Sequence, residues 1–209
     1  MKWNAFLSAL WPQFCKHCEK KSNDAPYFLC EPCFKNLESY KHDSMVFKNN
    51  EPFPIYALWK YQNELKSIFS PAKFENFKSI LPVLFKGLDN FFSKIDFKNT
   101  SIIKIPSQYN LVHSLGHAFK RNPDCKIYEP FVKRKNQFTK RFNRDERLSN
   151  EETLSIDKKV EIPQATDIIL IDDLVTSGST LRRAKYLLEE NYSVGTISGF
   201  TIAFSEQSR

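Results

Sequence analysis

Two adjacent carboxylates, Asp172 and Asp173, end a run of four aliphatics in "IILIDDLVTSGST", residues 168–180. Charges at the end of a buried run are costly unless something there uses them. Thr176, Ser177, Gly178, Ser179 and Thr180 follow at once. The pattern predicts a strand over 168–171 and a helix over 180–190 that turns Leu181, Ala184, Leu187 and Leu188 inward. A strand over 194–204 then completes a βαβ unit, so the sheet is at least partly parallel. Ligands of such sheets bind beyond the carboxyl ends of the strands. There the helix N-terminus offers unpaired N–H groups and a dipole that favours an anion. Gly178 allows close backbone approach, and the hydroxyls add donors. The loop therefore reads as a phosphate cup. It lacks the lysine of a P-loop. Carboxylates only accept hydrogen bonds, so Asp172 and Asp173 suit sugar hydroxyls or a metal rather than the phosphate itself. A ribose 5-phosphate satisfies both halves. The plain alternative is a capped, hydrated helix start; another is a Mg2+-binding acidic pair of a phosphotransfer domain.

The second chemical cluster is "CKHCEKKSNDAPYFLCEPC". Cys15 and Cys18, then Cys30 and Cys33, form two C-x2-C pairs eleven residues apart. Two such knuckles complete a tetrahedron of thiolates around Zn2+. With four protein ligands the site is closed, and so structural. Disulfides or free thiols are the alternative. A redox pair is disfavoured, because no thioredoxin-like βαβ pattern surrounds it. Four of the five cysteines lie within residues 15–33, which indicates a reducing compartment rather than a secreted disulfide scaffold.

These sites must be positioned by a chain of 209 residues with net charge +7 and pI near 9.1. That length suits one α/β domain with a small appendage, and the charge favours phosphate-bearing partners. No stretch reaches the roughly 20 apolar residues of a transmembrane helix. The N-terminus lacks a signal-peptide cleavage pattern. Trp3, Phe6, Leu7, Leu10 and Trp11 share one helical face, which suits docking on the protein's own core or on a partner or membrane surface. We expect a zinc module over residues 1–45, with this amphipathic helix, and an α/β body over 46–209. Within the body we expect an extended segment at "EPFPIYALWKY", a helix near 62–69 broken by Pro71, and an amphipathic helix through Leu81, Leu84, Phe85, Leu88, Phe91 and Phe92 that tolerates Pro82 in its first turn. A strand at "TSIIKIPS", a helix at "NLVHSLGHAF" and one short strand in "DCKIYEPFVKR" follow. Residues 133–163 are polar and without clear period.

The motif at 168–180 closely resembles that of type I phosphoribosyltransferases: aliphatics, an acidic pair, then T-x-G-x-T as Thr176, Gly178 and Thr180. With "WPQFCKHC…LCEPC" and "YQNELKSIFSPAKF" (61–74) the resemblance sharpens to the ComF (ComFC/GntX) family. It implies a type I phosphoribosyltransferase-like α/β fold, mainly a parallel twisted sheet flanked by helices, with a small N-terminal zinc-binding module. It implies phosphoribosyl pyrophosphate (PRPP) with Mg2+ as ligand. Asp172 and Asp173 would take the ribose hydroxyls. The backbone from Leu174 and Val175 through Thr176, Ser177, Gly178, Ser179 and Thr180 would hold the 5-phosphate. "IIKIPS" matches the family's V-P-V-P strand, which makes Lys104 the natural cation at the pyrophosphate end. The family's arginine-rich R-G-F-N-Q loop after that strand is missing; "PSQYNL" keeps only Tyr109 and Asn110 in register. The family's Q…R-x-x-N is matched by Gln137, Arg147 and Asn150.

Glycosyl transfer from PRPP builds positive charge on the ribose and negative charge on the leaving pyrophosphate. The first calls for carboxylates, the second for Mg2+ and cations. "KRKNQFTKRFNRDER" (133–147) has seven Lys/Arg against two acids, with Phe138 and Phe142 interleaved. Lys133, Arg134, Lys135, Lys140, Arg141 and Arg144 fit a lid over pyrophosphate, or a single-stranded nucleic-acid surface combining phosphate contacts with aromatic stacking; a solvated loop is the plain reading. Two functions are weighed. One is a phosphoribosyltransferase of the ComF type, cytoplasmic or peripheral to the inner membrane. The family setting gives it a role in natural transformation and single-stranded DNA handling, with a DNA-uptake partner. The other is a non-catalytic PRPP- or nucleotide-binding zinc protein that binds single-stranded DNA or serves as an adaptor.

Overall fold

The computed structural model describes residues 14–21, 29–39, 53–74, 81–93, 95–107, 110–133 and 154–205. The helix expected through Trp3, Phe6, Leu7, Leu10 and Trp11, and Tyr109, lie outside them.

The elements are α1 (Glu31–Ser39), β1 (Ile55–Lys60), α2 (Asn63–Phe74), α3 (Leu81–Phe92), β2 (Thr100–Lys104), α4 (Asn110–Phe119), β3 (Lys126–Tyr128), β4 (Phe131–Lys133), β5 (Leu154–Ile156), β6 (Asp167–Val175), α5 (Ser179–Asn191) and β7 (Ile197–Phe204). Five strands pair in the order β1-β7-β6-β2-β3, and every pairing is parallel. This is the mainly parallel sheet flanked by helices that the sequence predicts.

β6 lies at the centre, and its alternation builds both layers. Ile169 and Ile171 join the apolar cluster under α1, α2, α3 and α4. Ile168 and Leu170 join the opposite cluster under α5 and the β4–β5 ribbon. Burial on both faces explains why the strand reads as a continuous aliphatic run rather than as an alternation. Phe91, Phe92, Phe97, Phe119 and Phe200 fill the first layer with tilted and edge-on ring pairs.

Three elements differ from expectation. α2 runs through Pro71 to Phe74. Proline removes one helical N–H, but it falls in the last turn, and Leu65, Ile68 and Phe69 already anchor the helix in the core. "DCKIYEPFVKR" holds two strands, β3 and β4, separated by Glu129 and Pro130. β5 rises inside the stretch read as irregular and pairs antiparallel with β4, Phe131 opposite Ile156 and Lys133 opposite Leu154.

α3 approaches β1 closely at Gly87. A Cβ there would stand 2.6 Å from the Trp59 ring and 3.2 Å from Leu58 Cδ1. In an open helix, Gly→Ala gains about 1 kcal/mol. Here overpacking, typically about 1–3 kcal/mol, opposes it, because the buried indole of Trp59 has no room to yield. Gly87→Ala is therefore expected to lower the thermal midpoint by a few degrees; a rise would show that the α3–β1 contact is looser than described.

Candidate functional site

β6 extends four residues past the aliphatic run and carries both aspartates as strand residues. Asp173 is buried, at 9% exposure, while Asp172 is half-buried. The Asp173 N–H donates to Asp172 Oδ1 at 2.8 Å. Burial, then the neighbouring Asp173 charge, pushes the Asp172 carboxyl up to about 7. That N–H and the Lys133 ammonium pull the other way without prevailing. A carboxyl raised this far by burial and a neighbouring acid is the kind of group found at functional sites.

The loop after β6 leads directly into α5. Gly178 precedes α5 with φ 73°, a left-handed conformation that favours glycine; it brings no capping side chain, and Ser177 Oγ accepts from the Ser179 N–H at 3.4 Å. A Cβ at Gly178 would lie 3.3 Å from Arg182 Nη1 and 3.4 Å from Ile55 Cδ1. Ser177 Oγ donates to Ser179 Oγ at 3.0 Å, and Arg182 Nη2 donates to the Ser177 carbonyl at 2.8 Å. Thr176, Ser179 and Thr180 are exposed, Ser177 half-buried and Gly178 buried. Leu174 and Val175 face the two core layers and contribute backbone only. The helix start and the acid pair thus meet at one carboxyl edge of the sheet.

Lys104 ends β2, with Ile171 as its Cα partner. Its ammonium is bound to Glu129 Oε1 at 2.7 Å, and its stem lies against Gly116 of α4. It thus sits on the sheet face opposite α5. Lys133, exposed at the end of β4, is close enough for its charge to act on Asp172. Arg134, Lys135, Gln137, Lys140, Arg141, Arg144, Arg147 and Asn150 lie outside the described residues. Sequence reasoning missed Arg182 as the brace of the loop and Glu129 as the partner of Lys104. Arg182 carried a signal, since it falls two residues after the T-x-G-x-T motif; Glu129 carried none.

At the N-terminal end, the Sγ atoms of Cys15, Cys18, Cys30 and Cys33 all lie within 4.8 Å of one another, and those of Cys18 and Cys30 are 3.6 Å apart. Tetrahedral Zn2+ with bonds of about 2.3 Å sets its sulfurs ~3.8 Å apart, so the cluster fits the ion. The first knuckle is a tight turn closed by the Phe14–Lys21 bridge, with Glu19 at φ 60°. Burial raises Cys15, yet backbone N–H groups of Cys18, Cys30 and His17 bring it down to about 6. N–H donors aimed at sulfur are what a thiolate ligand needs. Burial pushes Cys30 and Cys33 up, and for Cys33 the neighbouring sulfurs of the cluster add to it. The cluster packs on α2: the His17 ring pairs with Ser67 Oγ at 3.0 Å and stands 3.7 Å from Glu64, and Asn36 donates to Glu64 at 3.4 Å.

Competence protein ComFC of Bacillus subtilis is 24% identical, over 96% of this chain and 88% of its own length. Competence protein ComFC of Streptococcus pneumoniae is 28% identical, over 84% and 81%. The resemblance to the ComF family stands, over nearly the whole chain. No family model matches. Solved structures similar to this ComF-like chain include adenine phosphoribosyltransferase of Saccharomyces cerevisiae (14% identity, 83% of this chain and 88% of that one, TM-score 0.40). A hypoxanthine phosphoribosyltransferase of Staphylococcus aureus is another (13%, 68% and 82%, TM-score 0.41).

Proposed function

We propose that the chain is a PRPP-binding, phosphoribosyltransferase-like protein of the ComF type that serves DNA uptake and handles single-stranded DNA in the cytoplasm. The observation that carries this is the acid pair, Asp173 buried and Asp172 half-buried, beside a helix N-terminus whose N-cap is glycine, at one edge of a parallel sheet. A pentose with a terminal phosphate satisfies both at once. The ribose hydroxyls would donate to Asp172 and Asp173. The 5-phosphate would accept from the N–H groups and hydroxyls of residues 176–180, with Arg182 bracing the loop. As the bond at ribose C1 breaks, the ionised pair would stabilise positive charge on the ring. Mg2+, when bound, would supply the cationic charge that the departing pyrophosphate needs. Lys104 would assist at that end by exchanging its partner Glu129 for the anion. Zn2+ on Cys15, Cys18, Cys30 and Cys33 would hold the N-terminal module, residues 1–45, against the body, residues 46–209.

The basic stretch belongs to the same proposal. Its flanking residues Lys133 and Leu154 are Cα partners on the ribbon. Lys133, whose charge acts on Asp172, supports reading the stretch as a cover for pyrophosphate or as a surface for a DNA strand. Among the described residues, no helix is long and apolar enough to cross a membrane. The loss of the family's arginines after β2 favours a second reading, in which PRPP is bound with little turnover.

Calorimetric titration with PRPP and Mg2+ tests the core of this. Wild type is expected to bind and Asp173→Asn to bind at least tenfold more weakly, since a charge-assisted hydrogen bond contributes about 1.5–3 kcal/mol. No heat from wild type at millimolar PRPP would overturn the ribose-phosphate assignment. For DNA, Lys140→Ala with Arg141→Ala should weaken and flatten the salt-dependent binding of single strands.

A further inference from the structure

We propose that His113 and His117, on the outer face of α4, form a second metal site, binding a divalent transition-metal ion through two imidazole nitrogens. The two Nε2 atoms face each other at 3.1 Å, and the rings stand nearly perpendicular, at 81°. Two nitrogens bound at about 2.0–2.1 Å lie ~2.9 Å apart at a right angle and ~3.4 Å apart at a tetrahedral one. The observed spacing falls between these values, so an ion can enter with small ring adjustments. The backbone is fixed in advance: Leu111, Val112, Ser114, Leu115, Ala118 and Phe119 are buried on the inner face of the same helix. Both histidines are exposed, so the metal face opens to solvent. The nearby Lys104 ammonium is held by Glu129, which offsets its repulsion of a cation.

Without metal, one Nε2 must carry the proton that the other accepts. On metal binding that proton moves through solvent to Nδ1 of the same ring, so both rings stay neutral, both Nε2 lone pairs face the ion and no proton is released. Paired imidazoles select nickel, copper, cobalt or zinc rather than magnesium or calcium. The site is therefore chemically distinct from a Mg2+–PRPP site and independent of the ribose-phosphate reading. It also differs from the cysteine cluster in its ligands and in being open.

The test is calorimetric titration of the full chain, its cysteine cluster already loaded with zinc, with Ni2+ in a non-coordinating buffer, alongside imidazole nitrogen NMR. One saturable equivalent is expected, with the His113 and His117 resonances selectively broadened by the paramagnetic ion. His113→Ala and His117→Gln should each abolish it, and His42→Ala should leave it intact. Both ring positions are on the surface, and circular dichroism checks that each variant folds. A titration with no saturable equivalent, or one that survives both substitutions, overturns the proposal and leaves a proton-sharing pair.

Discussion

Loading the cysteine cluster with zinc is expected to stabilise the α/β body and not only the N-terminal knuckles, and Cys33→Ser to undo that. Cys15 and Cys33 belong to the same buried cluster as Leu65, Ile68 and Phe69 of α2, together with Phe34 and Leu37 of α1. The contact has a polar part as well. Glu64, 4% exposed, is held by Asn36 and lies beside His17, so losing the knuckle strands a buried carboxylate. Zinc contributes on the order of 10–16 kcal/mol to an isolated finger. A whole domain is stable by only about 5–15 kcal/mol. Even a loss of about 3–5 kcal/mol passed on to the body would lower the melting temperature by roughly 6–20 °C in a chain of this size. Scanning calorimetry of the zinc-loaded chain, with and without a strong chelator, measures it. Cys125 does not confuse the reading, since burial pushes its thiol up to about 11 and keeps it unreactive. A shift under about 3 °C would mean that the module folds and unfolds on its own.

How far the sequence foretold this arrangement depends on what set each feature. The β6–α5–β7 unit was legible because a central parallel strand must be apolar on both faces, and because Leu181, Ala184, Leu187 and Leu188 repeat at the helical period. The cysteine cluster was legible because metal geometry fixes the spacing of its ligands. The β4–β5 ribbon was not legible. Its strands are three residues each, too short to show a period, and their pairing joins Phe131 to Ile156 across 24 intervening residues. Charge partners were equally hidden. Lys104 reads as a free strand-end cation until the fold brings Glu129 beside it, and Lys133 reads as the start of a basic run until the ribbon carries it towards Asp172. The length of β6 was underestimated for a related reason. Two aspartates normally mark the end of a strand, and here β6 carries both inside it.

That burial leads to the largest opposed pair of effects. Asp172→Asn is expected to abolish PRPP binding and at the same time to stabilise the ligand-free chain. The wild-type carboxyl is pushed up to about 7 from an ordinary 3.8, so the folded chain holds its proton more tightly than the unfolded one. The sign follows from linkage: the stability associated with that proton is fully present below about pH 4 and is lost as pH rises towards 7. Above pH 7 the native chain carries a buried charge beside Asp173 that asparagine does not. Asp172 is partly open to water, so the gain is about 1–3 kcal/mol and not the full value of the shift. The advantage of the asparagine variant should be largest at pH 7.5 and shrink towards pH 4. PRPP hydroxyls prefer the ionised acceptor, so wild-type affinity should fall as the pH drops below 7 and binding should release a proton. Thermal unfolding of both proteins across pH 4–8, paired with PRPP titrations in two buffers of different ionisation heat, reads all three effects. An asparagine variant less stable than wild type at pH 7.5 would show that Asp172 is held by partners strong enough to offset its burial, and the acid pair would then be a structural feature rather than a binding one.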